Sequence, residues 1–104
     1  MADFERVASL RELPEGGLLG VELEGHRLVL ANVRGTVYAL DGICTHQEAL
    51  LAEGSLYDEC LMCPVHGGEF DARTGEAITS PVTEPLGTYE VRVEAGEILV
   101  ARPG

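Results

Sequence analysis

Two short stretches of this chain each join a thiol to an imidazole: Cys44-Thr45-His46 and Cys63-Pro64-Val65-His66. A thiolate is a soft, charged ligand and a neutral imidazole a borderline one, so two of each can bind zinc or complete an iron–sulfur cluster. Zinc fingers usually place like ligands next to each other, two cysteines and then two histidines. Here each stretch supplies one of each kind, with sixteen residues between His46 and Cys63. That order suits two irons held between two loops, one taking both sulfurs and the other both imidazoles. A zinc site is the alternative that the residue types leave open.

The third cysteine, Cys60, forms Cys-x-x-Cys with Cys63, a spacing shared by zinc ribbons and redox dithiols. A ribbon needs a second such pair, and the chain has none. A dithiol would use up Cys63. Cys60 is therefore expected to be a small buried residue on the strand entering the second loop. His26, the third histidine, is expected to be exposed in a hairpin turn.

The elements that must position these loops read as antiparallel β structure. Thirteen glycines fall between short apolar-rich stretches. "FERVA" is expected to be the first strand. "LGVELE", "RLVLANV" and "TVYALD" are expected to form a three-stranded meander, turning at Gly25-His26 and at Arg34-Gly35. "TYEVRVEA" alternates Tyr89, Val91 and Val93 with charged residues, which predicts one strand with a single buried face. Ala95-Gly96 should turn it back into "EILVAR". Ser9 and Glu12 have capping-box spacing, but Pro14 limits any helix to about one turn. "QEALLAE" favours helix by composition and is expected to give at most a short turn. Residues 43–71 break the regular pattern and hold both Cys/His stretches. Pro81 and Pro85 mark a third irregular loop.

The 104 residues argue for one domain, 1–104, with a modest core that a loop-tying cofactor would help. The formal charge is -11, from 18 acidic residues against 7 basic ones, all arginine. Nucleic acid and anionic membrane surfaces are excluded as partners, because both require a basic face. The acidity fits either solubility or steering toward a basic protein. The N-terminal "MADFERVASL" lacks the basic start of a secretory signal, and no apolar run reaches membrane-spanning length. A soluble, cytoplasmic protein is expected.

"CTH", sixteen residues, then "CPVHGGEFD" resembles the Rieske [2Fe-2S] signature C-x-H…C-x2-H. With "DGICTHQEALLAEG" and "PVTEPLGTYEVRVEAGEILV", nearly the whole chain resembles the small Rieske-type ferredoxins of bacterial aromatic-ring-hydroxylating dioxygenases. The resemblance implies an all-β fold, an antiparallel sandwich with a small cluster-binding subdomain inserted at about 43–71. It implies one [2Fe-2S] cluster per chain, bound by Cys44, His46, Cys63 and His66. It also implies a monomeric one-electron carrier, not an enzyme, between an NAD(P)H-dependent flavoprotein reductase and a terminal oxygenase. Gln47, Glu48 and the Pro81 loop would form the docking rim. The same fold serves as the small subunit of assimilatory nitrite reductase, which is the alternative.

Two ferric ions, two sulfides and two thiolates sum to zero charge, so reduction is easier than with four thiolates. Rieske potentials accordingly span roughly -150 to +300 mV. High-potential members carry an extra disulfide and a serine and tyrosine beside the cluster. Ala49, Val65, Gly68 and Phe70 occupy those positions here, which points to the low end. A terminal oxygenase needs two further histidines for a mononuclear iron. Only His26 is left over, so oxygenase chemistry in this chain is excluded.

Overall fold

Two-residue turns set the framework. Glu24-Gly25, Arg34-Gly35 and Ala95-Gly96 each place two successive residues at positive φ, between 50° and 97°. That backbone matches the twist of the strands it joins. The computed structural model describes residues 3–44, 49–65, 68–79 and 84–102. Their strands, all antiparallel, form three sheets.

In the first sheet β11 (Glu97–Ala101) lies between β1 (Phe4–Ser9) and β10 (Val91–Glu94). The second runs β2 (Leu18–Leu23), β3 (His26–Val33), β4 (Thr36–Asp41), β9 (Thr88–Tyr89). The third holds four three-residue strands: β5 (Ser55–Tyr57), β6 (Cys60–Met62), β7 (Glu69–Asp71) and β8 (Ala77–Thr79). Short 3-10 turns cover Leu10–Glu12, where the Glu12 carboxylate accepts the Ser9 N–H, and Leu51–Glu53. No helix among the described residues is long and apolar enough to cross a membrane.

Strand β3 divides the interior. Leu28 and Leu30 face a core shared with Leu13, Ile98 and Val100. Val29, Ala31 and Val33 face a second core with Leu40, Leu51, Leu61, Phe70 and Leu86. The near-continuous apolar run "LVLANV" follows from burial on both faces. Cys44 and Cys63 both belong to the second core.

The expected strand, meander and hairpin are present, with three differences. "TYEVRVEA" is two strands, not one. Tyr89 pairs with β4 while Val91 pairs with β11, so the chain changes sheets at Glu90. Val93, on β10, is 44% exposed. The first hairpin turns at Glu24-Gly25, and His26 opens β3, exposed. Cys60 lies on β6 but is only half-buried.

Candidate metal centre

Both cysteine loops are built alike. Ile43 bridges to Leu50 across the first, and Cys44 N–H donates to the Ala49 carbonyl at 3.0 Å. In the second, Met62 pairs with Glu69 and Cys63 N–H donates to the Gly68 carbonyl at 2.7 Å. Each cysteine thus closes a six-residue loop with its own backbone. The sequence puts an imidazole two residues after the first cysteine and three after the second. His46 and His66, with Gln47, Glu48 and Pro81, lie outside the described residues.

The loops meet at their sulfurs. Cys44 and Cys63 are 4% and 2% exposed, and the Cys44 thiol lies within hydrogen-bonding reach of Cys63. Burial pushes the Cys63 thiol up and the neighbouring Cys44 adds to this, while the Val65 N–H opposes both. Two buried thiolates side by side need a cation to offset desolvation and repulsion. A metal bound by both sulfurs supplies it, so the donor pair fits one iron of a cluster. The half-exposed Cys60 is also raised, by burial and then by Glu69, Glu59, Asp71 and Asp58. Burial and these four carboxylates favour its protonated form.

The rest of the site holds these loops in place. The first loop leaves through Leu51–Glu53, whose cap, Gly54, presses on β6 beside the second. A Cβ at Gly54 would stand 1.9 Å from the Met62 carbonyl oxygen. Ala49 and Val65 pack, half-buried, on the same core as the two cysteines, and Phe70 is wholly buried there. A third segment closes the side. Leu86 N–H donates to the Gly75 carbonyl, and Gly87 N–H donates to Asp41 Oδ2 at 2.9 Å. Tyr89 O–H donates to Asp41 Oδ1 at 2.6 Å, and burial, then this bond, pushes the Tyr89 phenol up to about 12. Sequence reasoning missed Asp41, Tyr89, Gly54 and Gly75. Asp41 and Tyr89 stand 48 positions apart, and no local pattern links them.

An antiparallel β chain presenting two buried cysteines from paired loops offers the donor pair of a thiolate-bound metal centre. Residues 3–90 match the Rieske [2Fe-2S] domain, and the chain belongs to that family. Its cofactor is one [2Fe-2S] cluster per domain. The ferredoxin component of the naphthalene 1,2-dioxygenase system of Pseudomonas aeruginosa is 42% identical over 92 residues, 88% of each chain. The Sphingomonas yanoikuyae B1 ferredoxin superposes with a TM-score of 0.92 at 33% identity, over 97% of this chain and 100% of that one. A chain in the complex of reduced oxygenase and oxidized ferredoxin of carbazole 1,9a-dioxygenase superposes with a TM-score of 0.89 at 37% identity, over 94% and 92%. Relatives named as ferredoxin components are electron carriers and not catalysts.

Proposed function

We propose that this chain is the ferredoxin of an aromatic-ring dioxygenase system. It takes single electrons from an NAD(P)H-dependent flavoprotein reductase and delivers them to a terminal oxygenase. The observation that carries the proposal is the contact between two buried thiols, each closing its own loop by the same backbone bond. The complex of ferredoxin with oxygenase in the carbazole system supports the partner.

Cys44 and Cys63 would hold one iron and His46 and His66 the other, within a cluster-binding subdomain at about 43–71 of the single domain 1–104. When bound, the cluster supplies a reversible one-electron couple. The chain's residues set its surroundings. The buried Gly68 has no side chain, and Phe70 has no hydroxyl to donate to a sulfur. Ala49 and Val65 cannot form a disulfide between the loops. All four favour a potential at the low end of the range roughly -150 to +300 mV. The carrier is a cytoplasmic monomer that docks weakly, because a shuttle must leave one partner to reach the next.

The test is anaerobic mixing. A flavoprotein reductase with NAD(P)H should reduce the cluster, and an aromatic-ring terminal oxygenase should reoxidise it. Failure to pass electrons onward, or a midpoint near the top of the range, overturns the reading. His66→Cys should lower the potential or lose the cluster, and an unchanged potential excludes His66 as a ligand.

A further inference from the structure

Asp41 ends β4 three residues before Cys44. Three residues of extended chain span at most about 11 Å, so its carboxylate stands close to the first ligand loop. Both oxygens accept hydrogen bonds from donors, the Gly87 N–H and the Tyr89 O–H, the pattern of an ionised carboxylate. Its backbone is pinned too, since Asp41 N–H donates to the Gly87 carbonyl and Gly42 N–H to the Arg27 carbonyl. A Cβ at residue 87 would meet Asp41 Oδ2 at 2.7 Å, so the close approach requires glycine there.

What sets Asp41 apart is that, among the described residues, no cation is paired with it. Asp71, at the far end of β7, is the comparable carboxylate beside the second loop. Arg73 grips it with one guanidinium edge, Nε to Oδ1 at 3.2 Å and Nη2 to Oδ2 at 3.0 Å, and so cancels its charge locally. None of the ion pairs among the described residues includes Asp41. Neutral dipoles hold it in place without neutralising it.

We propose that Asp41 is a fixed negative charge that lowers the cluster's reduction potential, held beside the first ligand loop by Tyr89 and Gly87. Reduction adds a negative charge to the cluster, and a fixed anion nearby disfavours that charge. Water and salt screen the many surface carboxylates far more than a half-buried one. This rests on the [2Fe-2S] reading of the four ligands, so the Rieske absorption and resonance spectrum is recorded before each potential is measured. If the unsubstituted protein lacks that spectrum, both readings fail. If it has it, the ligand reading stands and the potentials decide this one.

The experiment compares midpoint potentials of the cluster-loaded parent with Asp41→Asn, Tyr89→Phe and the exposed control Glu94→Gln. Asparagine keeps the shape, an acceptor for Gly87 and a donor that the Tyr89 oxygen can accept. Asp41→Asn should favour reduction about tenfold, which for one electron is about 59 mV upward. Glu94→Gln should shift far less. Tyr89→Phe leaves the charge and removes a donor that offsets it, so its potential should fall. The proposal is overturned if Asp41→Asn matches the parent or the control, or if Tyr89→Phe rises. Should Asp41→Asn fail to hold a cluster, Tyr89→Phe decides alone: a lower potential supports the proposal, and an equal or higher one overturns it.

Discussion

At the scale of single residues, the side chains that matter most are polar groups whose bonds are fully used. Tyr89 gives the clearest titration. Its neutral form is held by burial and by the Asp41 carboxylate, so it ionises near 12, against about 10 for an ordinary phenol. The chain has three tyrosines. In an alkaline absorbance titration Tyr89→Phe should abolish the ionisation step near pH 12. The raised value also fixes a sign. Stability from this pair is fully present below about pH 10 and is lost as the pH rises toward 12. Asn32 plays the corresponding part in the core. Only 4% exposed, it donates through Nδ2 to the Leu13 carbonyl and accepts the Gly35 N–H on Oδ1. Asn32→Ala strands the buried Leu13 carbonyl and should cost about 1–3 kcal/mol in a denaturant titration.

At the scale of elements, the loops depend on backbone meeting backbone. Gly54 ends the 3-10 turn after the first ligand loop, against the Met62 carbonyl one residue before Cys63. Gly54→Ala must push the turn off β6. We expect it to cost about 1–3 kcal/mol of stability, typical of overpacking and read as a lower thermal midpoint, and to speed cluster loss on dilution into chelator. The same substitution at Gly16, whose Cβ position is open, should leave cluster loss unchanged, although its φ of +80° costs some stability. These contacts also show what the sequence could carry. The meander was readable because alternation and turn glycines are local signals that the tertiary fold respects. The two cysteine loops were readable because metal chemistry restricts residue type and spacing. The sheet of β5–β8 was not, since three-residue strands leave no period to detect. The break at Glu90 was missed because the alternation continues across it while the pairing partner changes. Cys60 was expected inside, but β6 turns it toward four carboxylates on the outer side.

For the whole molecule, charge decides how the carrier meets its partners. The chain is strongly acidic at -11. Arg6, Arg34, Arg73 and Arg102 are already engaged with Glu97, Glu59, Asp71 and the pair Glu5 and Glu24. Arg92 lies over the Phe4 ring, 4.4 Å from its centroid. The far field is therefore negative, and most of the exposed cations are locally spent. Such pairs contribute little stability at the surface, so the acidity acts on encounter more than on folding. A partner presenting a basic rim would be drawn in at low salt and released readily afterward. Raising ionic strength from 0.01 to 0.15 M shortens the screening length from about 30 to about 8 Å. Second-order electron delivery to the oxygenase should fall several-fold over that span, while the midpoint potential moves far less. A rate independent of salt would assign the acidity to solubility alone, and docking would then rest on shape and apolar contact around the loops.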